Sequence, residues 1–405
     1  MDNCVLNTPK KFYFGVNAIE KLGEEAEEIV EYWQVSEKKV IIITDKGVEG
    51  AGLVNRASKP LERSDFTIEI YSEAKPEPDY ESYDNVVEKV RRGKYSIVVG
   101  LGGGSPMDQA KLAAMLVTNP GTAEQYFEGK LKLKKRGIHV ILIPTTAGTG
   151  SEITPTSVAI GKQGIKTTIH DRRFMYADLA LVDPMMTVSL PPKQTASTGM
   201  DALSHTLFRF LGLNPINPLS ESLIHKALSL IANNLRAAYI NGENIEARSS
   251  MSMAASIGFM GSTASPGQTG GINHALGEVF GPLYNLPHGL ACGLSAIYDL
   301  LFNLMGCPEK LIKIANIFGE PTDKLPLYQA AMKGVEAVRK LAEDVNIPTS
   351  LKDVGVSKND LPRLAKLSYN RARPYVTKSP RKITEKSFAK LYEIMWKGDT
   401  SSYRL

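Results

Sequence analysis

An aspartate and a histidine stand four residues apart in "TGMDALSHTLFRF", residues 198–210, inside an apolar-periodic run that reads as a helix. At that spacing Asp201 and His205 lie on one helical face, one turn apart, so their side chains can converge on a common point. A metal ion, a proton or simply each other could occupy that point, and a surface hydrogen bond is the usual fate of such a pair. The segment "GGINHALGEVFGPLYNLPHG", 270–289, adds His274 and His288. Together these four residues offer one oxygen and three nitrogen donors, a set suited to a divalent transition metal such as Fe²⁺ or Zn²⁺. The remaining histidines, His139, His170 and His225, have no comparable partners and read as structural or surface residues.

A different chemistry is written in "VVGLGGGSPMDQAK", 98–111, where an apolar strand runs into Gly102, Gly103 and Gly104, then Ser105 and a helix opening at Pro106. Glycines permit positive φ and remove side chains, so backbone N–H groups and a helix N-terminus can approach an anion such as a pyrophosphate. An ordinary glycine-rich turn fits the same residues, and the spacing departs from the G-x-G-x-x-G fingerprint. A second polar loop, "PTTAGTGSE" at 144–152, follows another apolar strand with hydroxyls at Thr145, Thr146, Thr149 and Ser151. Loops at the carboxyl ends of parallel strands face one crevice. Asp45, ending "KVIIITD", is placed to accept hydrogen bonds from ribose hydroxyls and to repel a 2′-phosphate, which favours NAD over NADP.

These residues need elements to carry them. Up to about residue 185, apolar runs such as "KVIIITD" (39–45), "FTIEIY" (66–71), "YSIVVGLGGGS" (95–105), "HVILIPTT" (139–146) and "DLALVDP" (178–184) alternate with helix-period segments. That alternation predicts βαβ units and a parallel sheet covered on both faces. After "LPPKQTAS" (190–197) long helical patterns take over, for example "SLIHKALSLIANNLRAAYI" at 222–240. The expected organisation is an α/β dinucleotide-binding domain over 1–188 and an all-helical domain over 189–405.

Bulk properties narrow the partners. At 405 residues two domains are the default. The 48 basic and 43 acidic side chains leave only +5, too weak and dispersed for a nucleic-acid surface. The basic cluster "TKSPRKITEKSFAK", 377–390, reads as the solvated start of a helix. Three cysteines, Cys4, Cys292 and Cys307, have no disulfide-framework or metal-type spacing among themselves, which fits a reducing compartment. No apolar leader or membrane-length span is visible, so a cytoplasmic protein without membrane partners is expected.

In order and spacing, "GGGSPMDQAK", "IPTTAGTGSE", "TGMDALSH" and "NHALGEVFGPLYNLPHG" resemble the signature motifs of the iron-containing, group III alcohol dehydrogenases, and the likeness runs from "KKFYFG" (10–15) through "NIPTSLKDVGVSKNDLP" (346–362). The resemblance implies a dehydroquinate synthase-like fold with an active site in a cleft between the two domains. It also implies metal ligation by Asp201, His205, His274 and His288, and cofactor contacts at Asp45, Gly102, Gly103, Gly104, Ser105, Asp108, Thr145, Thr146, Thr149 and Lys166. The implied activity is metal-dependent hydride transfer between NAD or NADP and a small alcohol or aldehyde, by a homodimer or higher homo-oligomer. A glycerol or polyol dehydrogenase, a dehydroquinate synthase-like lyase and a catalytically altered NAD- and metal-binding protein are the alternatives.

Three positions depart from the family pattern. Glu278 stands one turn after His274, where many members carry a second histidine assigned to proton relay; Glu278 could relay protons itself, add a ligand or pack beside the site. The usual family acid after the first ligand pair is replaced within "TLFRFLG", leaving Phe208, Arg209 and Phe210, whose aromatics could reshape the substrate pocket or simply pack, and Glu77 stands where an asparagine often approaches the cofactor.

Overall fold

The computed structural model describes residues 5–212, 217–264, 270–373, 376 and 379–400. Cys4, and Thr377 and Lys378 at the start of the basic cluster, lie outside the described residues. The chain divides into two compact units, one of residues 7–190 and the other of the residues from Pro191 onward, to which the described residues before Asn7 also belong.

The first unit is built on a six-stranded, wholly parallel sheet. Its strands are β1 (Lys11–Phe14), β2 (Lys39–Ile43), β3 (Thr67–Tyr71), β4 (Ile97–Gly102), β5 (His139–Pro144) and β8 (Leu179–Val182), in the order β1-β8-β5-β4-β2-β3. An antiparallel pair, β6 (Thr156–Ile160) and β7 (Lys166–His170), stands apart from it. The helices are α1 (Leu22–Tyr32), α2 (Lys46–Gly50), α3 (Leu53–Arg63), α4 (Tyr80–Gly93), α5 (Gly104–Leu116) and α6 (Ala123–Phe127).

Successive strand residues point to opposite faces, and the sheet has a core on each. Ile41, Ile43, Val98, Val140 and Leu142 pack on one side with Val86, Val87 and Val90 of α4 and Met107 and Ala110 of α5. Val40, Ile42, Val99, Ile141 and Ile143 face the other, with Leu22 and Ala26 of α1 and Val54, Ala57 and Leu61 of α3. Burial on both faces is why these strands are continuous apolar runs rather than alternating ones. Near the edge of the sheet, buried Asp178 accepts from Lys10, Arg136 and the Val140 N–H. Burial by itself would raise this carboxyl, but its pairing with His139, Arg136, Lys10 and the Val140 amide holds it well below the usual carboxylate range.

From Pro191 onward the described residues contain no strand. The helices are α7 (Pro192–Phe210), α8 (Pro218–Ile240), α9 (Ile245–Thr263), α10 (Asn273–Leu283), α11 (His288–Asn303), α12 (Pro308–Ile317), α13 (Leu327–Asp344), α14 (Leu361–Ala372) and α15 (Glu385–Lys397). Their starts carry the expected signals: Pro192, Pro218 and Pro308 open their helices, and the Asn217 and Asn244 side chains accept from backbone N–H groups of the first turn. No helix among the described residues is long and apolar enough to cross a membrane.

Close helix approach positions the donor-bearing segments. A Cβ at Gly289 of α11 would lie 2.1 Å from the Ser197 carbonyl oxygen of α7. Only glycine allows that contact, which brings the start of α11, with His288, against the helix that carries Asp201 and His205.

Candidate functional site

Asp201 and His205 sit mid-helix in α7, His274 in the first turn of α10, and His288 at the first residue of α11. The Asp201 carboxylate is 2 % exposed, and its Oδ1 stands 3.7 Å from both His205 Nδ1 and His288 Nε2. His205 and His274 face each other with ring centroids 4.5 Å apart, and the rings of His274 and His288 are 5.6 Å apart. Buried His205 Nδ1 makes no hydrogen bond among the described residues. One ligand atom each from Asp201, His274, His288 and Cys292 lies within 4.8 Å of all the others.

His205 lies outside that group of four and joins it through Asp201 and the His274 ring; the oxygen, nitrogen and sulfur atoms so gathered fit a divalent transition metal. A separation of 3.7 Å is too long for a hydrogen bond. Two ligands bonded at 2.0–2.1 Å to a tetrahedral ion would stand about 3.4 Å apart, close to what is seen. Supporting contacts orient His274: Asn273 Nδ2 donates to the Ser204 carbonyl of α7, which turns Asn273 Oδ1 toward His274 Nδ1 at 2.6 Å. Nδ1–H then donates, which makes Nε2 the basic nitrogen of the ring. Beneath it, the Asn273 N–H and the Asn303 amide both donate to Asp299. Burial pushes the Asp299 carboxyl up to about 7, with the N–H groups of Ile272 and Asn273 pulling the other way.

Cys292 escaped the sequence reading. Cys292 follows His288 by four residues, the same interval that sets Asp201 and His205 on one helical face, and spacing among the cysteines alone does not show it. Its Sγ lies 3.6 Å from His288 Nδ1 and 3.7 Å from Nε2.

Glu278, one turn after His274, is buried and engaged by Arg371 of α14, whose Nε and Nη2 reach Oε2 at 2.9 and 2.8 Å. Phe208 places its ring edge-on to His274, 5.4 Å between centroids, while Phe210 is fully buried against His225.

In the other unit, the two polar loops meet at the carboxyl ends of adjacent strands. β4 passes through Gly102, with φ +150°, into α5, whose first residue is Gly104. The Thr145 N–H donates to the Gly102 carbonyl at 2.9 Å, so the loop after β5 is stitched to the loop after β4. A Cβ at Gly104 would lie 3.0 Å from Thr149 Cγ2, and one at Gly103 would lie 3.7 Å from Thr146 Oγ1. The Thr146 hydroxyl is enclosed without a hydrogen bond among the described residues. Asp45 caps α2, its Oδ1 accepting from the N–H groups of Gly47 and Val48, while its Oδ2 would be 3.6 Å from a Cβ on Gly102. A side-chain-free cradle at a helix N-terminus, an unspent hydroxyl and a carboxylate beside it fit the pyrophosphate and ribose of a dinucleotide.

Asp108 and Lys166 sit differently from those loop residues. Asp108 is buried, accepting from Ser151 Oγ at 2.5 Å and Val158 N at 2.9 Å, with Lys111 Nζ 3.0 Å away. Lys166 is buried and salt-bridged to Glu77, 2.9 Å, whose φ of 47° puts it in the left-handed region.

The family model described as "Iron-containing alcohol dehydrogenase" matches residues 9–184, and that described as "Fe-containing alcohol dehydrogenase family, C-terminal" matches residues 195–396. Long-chain-alcohol dehydrogenase 1 of Geobacillus thermodenitrificans is 32% identical over 395 residues, 96% of each chain. Among solved structures, a 1,3-propanediol oxidoreductase superposes with a TM-score of 0.88 at 29% identity, covering 98% of this chain and 100% of its own. Sulfoacetaldehyde reductase from Bifidobacterium kashiwanohense, solved in complex with NAD⁺, has a TM-score of 0.84 at 27% identity and covers 99% and 100%.

Proposed function

We propose, from the premise that this chain belongs to the iron-containing alcohol dehydrogenase family and is a metal-dependent oxidoreductase moving a hydride between a nicotinamide cofactor and a small alcohol or aldehyde, that its cofactor is NAD and that Asp201, His205, His274 and His288 hold its metal, Fe²⁺ or Zn²⁺. The observation that carries the metal assignment is the 3.7 Å separation of Asp201 Oδ1 from two imidazole nitrogens on different helices. When bound there, the ion supplies Lewis-acid polarisation of the substrate oxygen, and NAD supplies the hydride acceptor.

The chain's own residues do the positioning. Backbone N–H groups at Gly103, Gly104 and Ser105, at the start of α5, face the pyrophosphate, and the Thr145, Thr146 and Thr149 loop supplies hydroxyls beside it. Asp45 accepts from the ribose hydroxyls and disfavours a 2′-phosphate through like-charge repulsion. Lys166 with Glu77 serves the ribose side as a pair. Asp108 supports the loops through Ser151 and the Val158 amide rather than by reaching cofactor. Assembly as a homodimer and a cytoplasmic location are part of the same proposal, resting on the family resemblance, the prevalence of twofold homo-oligomers and the cysteine usage.

The test is NADH formation by metal-stripped protein offered short primary alcohols and 1,3-diols, anaerobically, with and without Fe²⁺ or Zn²⁺. Turnover that appears only with metal is expected. Turnover equal with and without metal would remove the metal assignment. Glu278 is assigned as proton relay, with Arg371 holding its carboxylate. Glu278→Gln should then change the pH–rate profile and slow turnover by about 10²-fold or more, the scale of general acid–base catalysis. A wild-type profile with a lowered melting temperature would leave the pair a packing role only.

A further inference from the structure

We propose that Cys292 gives the metal a sulfur donor, so that the ion is held in a mixed oxygen, nitrogen and sulfur set; this rests on the reading that Asp201, His274 and His288 bind a metal. The geometry has three parts. Cys292 Sγ shares a sphere of donor atoms with Asp201, His274 and His288, every pair within 4.8 Å. It is fully buried one turn beyond His288 on α11, with the imidazole nitrogens 3.6 and 3.7 Å away. Space for it is made by Gly277 of α10, where a Cβ would lie 2.9 Å from Sγ and 3.0 Å from the Cys292 nitrogen.

The other described cysteine shows what a packing thiol looks like in this unit. Cys307 Sγ donates to the Asn303 carbonyl one turn earlier, and burial pushes its thiol up to about 12. That is the behaviour of a small apolar side chain with a weak donor. Cys292 instead lies within hydrogen-bond reach of an imidazole and in one cluster with a second imidazole and a carboxylate, a set of donor atoms that a divalent cation complements. Binding converts the thiol to a thiolate with release of its proton, and with Asp201 the site then carries two negative charges against the ion's two positive ones. A soft donor in the set shifts preference from Fe²⁺ toward Zn²⁺.

Zinc K-edge X-ray absorption on the full chain loaded with one equivalent of Zn²⁺, with zinc content measured on the same samples, tests this. Wild type and Cys307→Ser should both show a sulfur scatterer at about 2.3 Å, and Cys292→Ser should show only nitrogen and oxygen at about 2.0–2.1 Å. A wild-type zinc with no sulfur neighbour, or a sulfur shell that survives Cys292→Ser, overturns the proposal and leaves the metal site standing. No zinc retained by wild type overturns the metal site itself. Should Cys292→Ser fail to fold, Co²⁺-loaded wild type decides: a sulfur-to-cobalt charge-transfer band in the near ultraviolet is expected, and a loaded protein without one overturns the assignment.

Discussion

Each unit of this chain buries an acid beside nitrogen bases, and the two clusters spend those groups differently. Around Asp108 the hydrogen bonds close: Ser151 Oγ and the Val158 N–H serve the carboxylate, and Lys111 Nζ, with no exposure at all, donates to the carbonyls of Ser151, Thr154 and Thr156. Burial lowers the Lys111 pKa, with the Asp108 charge opposing it. Around Asp201, nitrogens of His205 and His288 stand 3.7 Å from Oδ1, beyond hydrogen-bond length, and His205 Nδ1 is enclosed with no hydrogen bond among the described residues. Burying polar groups without partners costs free energy. A cluster whose acid and base pair directly therefore reads as framework, and one that encloses an imidazole nitrogen with no hydrogen bond among the described residues reads as a site for something not made of protein.

The contrast is broken most directly at the open cluster. His288→Ala removes a side chain that is 19% exposed, so the metal-free protein should unfold within about 1 kcal/mol of metal-free wild type. Metal content and NADH formation should fall to background. A variant that keeps its metal and its rate would make the imidazole cluster structural. At the closed cluster the expectation reverses. Lys111→Met leaves the Asp108 charge with only neutral partners and strips three carbonyls of their donor, for a loss of about 3–5 kcal/mol in urea unfolding. Turnover per folded molecule should persist at low temperature. If instead NAD affinity collapses while stability holds, Asp108 and Lys111 belong to the cofactor site rather than its support.

The two clusters also differ in how far they could be read without coordinates. The central strands β2, β4 and β5 were legible because burial on both faces writes them as unbroken apolar runs. The pair β6 and β7 was not, since each strand is only five residues long and β7 buries just its first residue, leaving no apolar run to mark it. Between β2 and β3, Gly47, Gly50, Gly52 and Pro60 obscured the periods of α2 and α3. At the site, Asp201 and His205 were visible because a helix converts a spacing of four into proximity. Cys292 carries the same signal relative to His288, and that signal is legible only once α11 is seen to begin at His288. The pairing of Glu278 with Arg371, and the Asn273 contact that orients His274 against α7, join separate helices, and no local pattern encodes such contacts.

The smallest effect tests whether the same logic holds inside the first unit. Thr146 belongs to a loop stitched to its neighbour by the Thr145 amide, yet its own hydroxyl is enclosed without a partner among the described residues. Were the hydroxyl part of the framework, Thr146→Val would cost stability and leave cofactor binding alone. If it is kept for a ligand, replacing it by a methyl of similar shape removes an unsatisfied buried group, so the cofactor-free protein should be as stable as wild type or slightly more so. NAD affinity should meanwhile fall by about 1 kcal/mol, roughly fivefold, the net worth of one hydrogen bond. Calorimetric unfolding without NAD and equilibrium titration with it read the two quantities separately. Opposite signs assign the hydroxyl to the dinucleotide, whereas a loss of stability with unchanged affinity assigns it to the loop.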